Sequence, residues 1–164
     1  MRFCVSGAPY NEDSAANPTD IYGLTKSIGE PSAKSLVFRT SIIGPEISGF
    51  VSLLEWVKKQ EGNTIKGFTR HLWNGISTLE FGKVCEKIIE HGQDYPKTGL
   101  YHLFSNDINK FDMLKKIAAA YNIRCEVLPD DSGAIDRRLS SKYDVCAKLA
   151  IPSFDEMLAE FVAM

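Results

Sequence analysis

Tyr22 and Lys26 stand four residues apart in the run Asp20-Ile21-Tyr22-Gly23-Leu24-Thr25-Lys26, which has helical character. Residues four apart share one helix face, one turn apart, so both side chains project the same way. A free phenol, with a pKa of about 10, is too weak an acid to protonate an alkoxide readily at neutral pH. A neighbouring ammonium favours the phenolate and brings the phenol toward a useful range. The pair therefore suits proton transfer in redox or epimerase chemistry, and the lysine can also hydrogen-bond a cofactor ribose. The same spacing equally describes a surface tyrosine stacked on a lysine stem.

The elements that must position this pair follow from pattern and punctuation. A short strand is expected over 2–6, then a loop rich in Gly, Pro, Asn, Asp and Ser over 7–18. Thr19 or Asp20 is the candidate cap of the helix that carries the pair, and Gly29 and Pro31 stop it. A buried strand is expected over 35–40, ended by Gly44-Pro45. Apolar residues at 50, 53, 54 and 57 predict a helix over 50–60. A strand follows at 64–68. Ser77 or Thr78 opens the next helix, with Glu80 placed for a capping box and apolar positions at 81, 84, 85, 88 and 89. Strands at 99–104 and 124–128 flank a helix capped by Asn109 that runs to about 121. A last helix covers 153–164, with apolar positions at 154, 157, 158 and 161. Strands alternate with helices, which argues for an α/β chain with parallel pairing.

Composition narrows the class. The 164 residues suffice for one domain with a sizeable core. Nineteen basic against 21 acidic residues give a net charge of −2, so nothing favours nucleic acid or an anionic membrane as partner. The apolar runs are too short for a membrane span or a signal peptide. Cys4, Cys85, Cys125 and Cys146 form no Cys-x-x-Cys motif, and reduced, buried thiols in a cytoplasmic protein are expected. His71, His91 and His102 show no metal-ligand spacing, so no metal is expected. His102 reads as structural, and Glu12 and Asp13 as loop carboxylates.

The flanks of the pair add a further layer. Tyr10-Asn11-Glu12, then Asn17-Pro18-Thr19-Asp20-Ile21-Tyr22-Gly23-Leu24-Thr25-Lys26, then Gly29-Glu30, come in one order. That order resembles the active-site segment of extended short-chain dehydrogenases/reductases, in the nucleotide-sugar branch that includes dTDP-4-dehydrorhamnose reductase. Phe38-Arg39-Thr40-Ser41-Ile42-Ile43-Gly44-Pro45 resembles the family's next strand and the loop near the nicotinamide. Gly99-Leu100-Tyr101-His102-Leu103-Phe104-Ser105 resembles a late strand, and Ile108-Asn109-Lys110-Phe111-Asp112-Met113-Leu114 the helix start after it. The resemblance covers nearly the whole chain.

The resemblance implies the C-terminal part of a Rossmann-type parallel sheet (1–45) joined to a small α/β substrate-binding subdomain (46–164). It implies Tyr22 and Lys26 as catalytic residues, and NADP or NAD held by Lys26, Thr40, Ser41 and Ile42. It also implies a nucleotide-sugar substrate for surface-polysaccharide synthesis. Arg70-His71-Leu72-Trp73-Asn74-Gly75-Ile76-Ser77-Thr78 suits such a ligand, with Arg70 for phosphate, Trp73 for stacking and Asn74 for sugar hydroxyls. The competing reading packs Trp73 on the core and uses Ser77 as a helix cap. Arg137 resembles an arginine that approaches the substrate diphosphate, and otherwise belongs to a solvated charged turn. Family members open with a strand and a Gly-x-x-Gly-x-x-Gly turn that takes the pyrophosphate on a helix N-terminus. That spacing does not occur in these residues. The expectation is thus the C-terminal half of such an enzyme, without its nucleotide-binding half and inactive alone. Ser6 lies near the place of the family's substrate-orienting hydroxyl. A homo-oligomer or a separate dinucleotide-binding chain is the expected partner; the alternative is a nucleotide-sugar-binding or interaction module.

Overall fold

Side chains that accept from the orphan amides of a first turn fix most helix starts in this chain. The computed structural model describes residues 8–18, 20–30, 34–49 and 51–163. Helix α1 (Ile21–Ile28) begins where the Asp20 carboxylate accepts from Gly23 N at 2.6 Å. Strands β1 (Leu36–Arg39) and β2 (Ile42–Ile43) follow, then α2 (Leu53–Lys58). Three strands come next: β3 (Thr64–Phe68), β4 (His71–Trp73) and β5 (Ile76–Ser77). Helix α3 (Thr78–Glu90) is capped by Ser77, whose Oγ accepts from Glu80 N at 2.9 Å. Strands β6 (Gly99–His102) and β7 (Ile108–Asn109) lead into α4 (Lys110–Ala120), capped by the Asn109 amide on Asp112 N. The chain ends with β8 (Glu126–Asp130), β9 (Ile135–Asp136), α5 (Val145–Leu149) and α6 (Phe154–Val162). Ser153 and Glu156 form a reciprocal capping box at the start of α6.

The architecture is α/β with small, mostly parallel strand groups. β1 runs parallel to β6, with Leu36 opposite Gly99 and Arg39 opposite His102. β2 runs parallel to β5, and β3 to β8 in the register Thr64 opposite Glu126. β4 lies between β7, antiparallel, and β9, parallel. Parallel neighbours require long crossovers, and helices supply them here.

Two apolar clusters hold the elements together. One joins Leu54 and Val57 of α2, Ile65 of β3, Met113, Leu114 and Ile117 of α4, and Phe154 and Leu158 of α6. The other joins Ile76, Val84, Leu103, Val145, Leu149 and Met157. The apolar positions expected for α6, namely 154, 157, 158 and 161, are all buried.

Some expectations shift. The helix expected over 50–60 is the shorter α2. The strand expected over 124–128 begins at Glu126 because the preceding residues turn the chain. Asn122 takes a left-handed φ of 54°, Ile123 N donates to Ala118 O, and Arg124 reaches back to Glu61. Ile89, which the apolar period places on the buried face of α3, is 82% exposed. It lies about 140° around the helix from Val84, at about 100° per residue. The expected strand over 2–6, Ser6, Cys4, the Thr19 cap, the Pro31 stop and Phe50 lie outside the described residues. Cys85, Cys125 and Cys146 are free and half-buried.

Candidate functional site

The capping of α1 by Asp20 puts Tyr22 and Lys26 on adjacent turns. Lys26 Nζ lies 5.4 Å from the centre of the Tyr22 ring, within cation–π range. Tyr22 is 66% exposed, and Lys26 is exposed too. The helix is anchored to the body chiefly at its ends. Its only buried residue among those described is Gly23, and Glu30 just beyond it clasps Arg39 of β1 in two hydrogen bonds of 2.6 Å. The pair is thus presented to solvent, and the ring–ammonium contact is the surface stack that one of the two readings describes.

Thr40 and Ser41 link β1 to β2, and Ile42 opens β2 beside β5. Ser41 O accepts from Ile76 N at 2.9 Å, and Ser41 Oγ accepts from Trp73 Nε1 at 2.7 Å. A residue expected at the cofactor is therefore joined to one expected at the substrate. Trp73 also meets Phe154 edge to face, with ring centres 6.1 Å apart, so the ring is committed to the core. Thr40 is half-buried and Ile42 is exposed. Gly75 makes the close approach possible, because a Cβ there would lie 1.9 Å from Ser41 O.

The remaining expected ligand contacts separate. Asn74 is 2% exposed, and its amide is used inside the protein. It accepts from Leu139 N and donates to Leu139 O, both at 2.8 Å, and reaches Asp107 at 3.2 Å. This clamp replaces the sugar contact expected of it. Arg70 is exposed, and its carbonyl accepts from Ile135 N. Arg137 and Arg138 differ sharply. Arg138 is gripped by Asp136 at 2.8 Å and Asp107 at 2.6 Å, which hold its proton firmly. Arg137 is exposed and makes no ion pair among the described residues.

Two features escaped the sequence reading. Burial, then the charge of Arg137, pushes the Lys110 ammonium below its ordinary pKa, and no residue reads as its counter-ion. A lysine at a helix start gives no signal of this in sequence. The other is Glu12, a latch rather than a free loop carboxylate. It accepts from His102 N at 3.0 Å, Ser141 Oγ at 2.5 Å and Lys142 N at 3.0 Å. His102 itself is fully buried, with Nδ1 near the carbonyls of Tyr10 and Ser140, in keeping with a structural role. No group of three potential metal ligands gathers among the described residues, and no described helix is long and apolar enough to cross a membrane.

The same arrangement of elements occurs in known structures. A dTDP-4-dehydrorhamnose reductase from Yersinia enterocolitica superposes with a TM-score of 0.69 at 23% identity, over 94% of this chain and 60% of that one. The NADP complex of the Bacillus anthracis dTDP-4-dehydrorhamnose reductase gives a TM-score of 0.68 at 23% identity, over 94% and 58%. A hypothetical dTDP-4-dehydrorhamnose reductase from Sulfolobus tokodaii reaches 28% identity with a TM-score of 0.62, over 87% and 53%. This chain has the fold of part of a dTDP-4-dehydrorhamnose reductase. It spans about 60% or less of the length of these reductases. No protein-family model matches the chain, and no curated protein does.

The dinucleotide that this reductase-like fold implies meets only a partial counterpart here. Tyr22 and Lys26 are open to a ligand, and exposed Ile42 adjoins the same segment. The Ser41 hydroxyl is already bonded to Trp73, and no Gly-rich turn offers amides to a pyrophosphate. The described residues fit the reactive end of such a cofactor but not its phosphates.

Proposed function

We propose that this chain is the substrate-binding and proton-transferring part of an NAD(P)-dependent nucleotide-sugar reductase or epimerase. The observation that carries the reading is the reductase fold over 94% of the chain with Tyr22 and Lys26 paired on one exposed helix face. Residues 1–45 form the side that meets the dinucleotide, and 46–164 the side that meets the nucleotide sugar. When bound, the dinucleotide supplies hydride transfer. The chain's own part is the proton: the Tyr22 hydroxyl gives it to, or takes it from, the sugar oxygen, and the Lys26 ammonium stabilises the phenolate left behind. The chain alone is inactive in hydride transfer, because it presents no cradle for the pyrophosphate. A dinucleotide-binding unit with a Gly-x-x-Gly-x-x-Gly turn completes it.

Calorimetric titration separates the parts of this reading. A dTDP- or UDP-sugar binds the chain, while NADPH and NADH do not bind it tightly. Failure of every nucleotide sugar to bind overturns the proposal, and tight NADPH binding overturns the division of labour. Once a dinucleotide-binding unit restores turnover, Tyr22→Phe abolishes it by losing the transferable proton, a loss on the order of 100-fold or more. Unchanged turnover in that variant removes Tyr22 from the mechanism.

A further inference from the structure

A chain of polar contacts leads from the end of α1 to the apolar core. Glu30, just past α1, clasps Arg39 of β1 in two hydrogen bonds of 2.6 Å. Arg39 O in turn accepts from Leu103 N, just after β6, at 3.0 Å. Two residues on, both oxygens of Ser41 are used by the segment that joins β4 to β5. Ser41 O accepts from Ile76 N at 2.9 Å, and Ser41 Oγ accepts from Trp73 Nε1 at 2.7 Å. The link from β1 to β2 is thus tied on one side to the helix that carries Tyr22 and Lys26. On the other side it is tied to an indole 32 residues away in sequence.

The indole is held from behind. It meets Phe154 at 88° with ring centres 6.1 Å apart, and it packs on the apolar cluster of α2, α4 and α6. Phe154 is itself 3% exposed, and its N donates to the Asn106 side chain at 2.7 Å. Nε1 is the indole's one polar atom, so its bond to Ser41 leaves no donor for a ligand. Two glycines permit the approach. A Cβ on Gly75 would run into Ser41 O and the indole, and one on Gly44 would run into the Thr78 side chain. Local sequence, strand register and a core aromatic all act on one short link, as they do where a scaffold orients a site.

We infer that Trp73 is a positioning residue, which through its hydrogen bond to Ser41 sets the β1–β2 link and the Tyr22–Lys26 helix in place. This role takes the place of the ligand stacking expected of it. The inference deepens the nucleotide-sugar reading and rests on it for the reaction that is served. Trp73 touches no reacting atom: it acts through Ser41, and the link acts on α1 through Arg39 and Glu30. Ser41 is the anchored point of the link, while Ile42 beside it is 46% exposed and faces outward.

NMR and amide hydrogen exchange on the whole chain test this without turnover. The Trp73 indole N–H is protected from exchange, and Ser41→Ala shifts its resonance and removes the protection. Trp73→Phe keeps an aromatic ring against Phe154 and removes the donor. Each variant speeds exchange of the amides of 25–28 in α1 by about fivefold, the factor for one hydrogen bond. The double variant speeds it no further, because both changes break the same contact. Ser153→Ala, which weakens the fold at the start of α6, leaves α1 exchange unchanged and so separates positioning from general destabilisation. With a dinucleotide-binding unit present, Trp73→Phe lowers kcat about tenfold and leaves KM for the nucleotide sugar within about twofold. A tryptophan that stacks on the sugar would raise KM instead, and that result overturns the inference. So does α1 exchange that neither single variant moves, or one that Ser153→Ala moves equally. If a nucleotide sugar binds and α1 exchange ignores both variants, the inference fails while the proposed function stands. If the variants loosen α1 and no nucleotide sugar binds, the anchoring of α1 by Trp73 stands and the proposed function falls.

Discussion

Glu12 shows how one loop carboxylate stabilises the region behind the candidate site. Burial works to raise its pKa, and the hydrogen bonds from Ser141, Lys142 and His102 outweigh that, leaving the group below its ordinary value of 4.5. A depressed carboxylate contributes stability that is present above the unfolded value and lost as pH falls through the folded one. His102 is displaced downward, chiefly by burial, from 6.5. Between its folded value and 6.5 the unfolded chain binds the extra proton, so this contribution is complete above pH 6.5 and declines as pH falls. Stability measured by urea unfolding therefore falls in two stages on acidification, first from below about 6.5 and then from below about 4.5. Glu12→Gln shrinks the second stage, to which the depressed Asp136 also contributes, enlarges the first by removing a charge that raises His102, and lowers stability at pH 7 by about 1–2 kcal/mol. A variant with an unaltered acid limb would mean that the latch contributes nothing. The neighbouring arginines give the opposite lesson in one dipeptide: Arg138 is gripped by Asp136 and Asp107, while Arg137 is exposed and makes no ion pair among the described residues, a division invisible in the sequence.

At the level of elements, the chain is most legible where a polar cap meets an apolar period. Asn109 caps the helix expected of it, Ser77 rather than Thr78 caps the next one, and 64–68 is the strand β3 with the expected bounds. Ser153→Ala should cost about 1 kcal/mol by loss of the Glu156 N contact, measured by thermal unfolding. The strands β2, β4, β5, β7 and β9 give no signal in the sequence. They are two or three residues long, too short for alternation to register, and exist because their partners are brought to them. Their spacing governs the candidate site, since β2 and β5 set Ser41 against Trp73. Gly75 sits at that crossing with room for no side chain. Gly75→Ala should destabilise the protein by about 3 kcal/mol and disturb the Trp73 fluorescence, because either Ser41 or the indole must move. The Tyr22–Lys26 helix was legible for a different reason: its i, i+4 pair and its Asp cap are local. What the pair faces is decided by distant chain, so the sequence could not separate catalytic pair from surface stack.

Across the whole molecule, apolar side chains left in water lie close to the candidate chemistry. Ile21, Leu24 and Ile28 line α1 at spacings of three and four and are 81, 48 and 74% exposed. Ile47 and Val51, just before α2, are 101 and 82% exposed. An amphipathic helix normally turns its apolar stripe inward, and α1 buries only Gly23. Covering Ile21 and Ile28 is worth roughly 1.5–3 kcal/mol each, enough to drive association at modest concentration once several such residues act together. The chain should therefore self-associate through α1 in the absence of another partner, with a sedimentation coefficient that rises with concentration. Ile21→Lys combined with Ile28→Lys should restore a monomer and leave the melting temperature within a few degrees, because neither side chain packs on the core. A monomeric parent chain across the micromolar range would contradict this. If the double variant is monomeric yet loses turnover with a dinucleotide-binding unit, the face that self-associates is also the face that unit covers. The exposed apolar stripe and the exposed Tyr22–Lys26 pair would then belong to one surface, on which the burial of the one assembles the chemistry of the other.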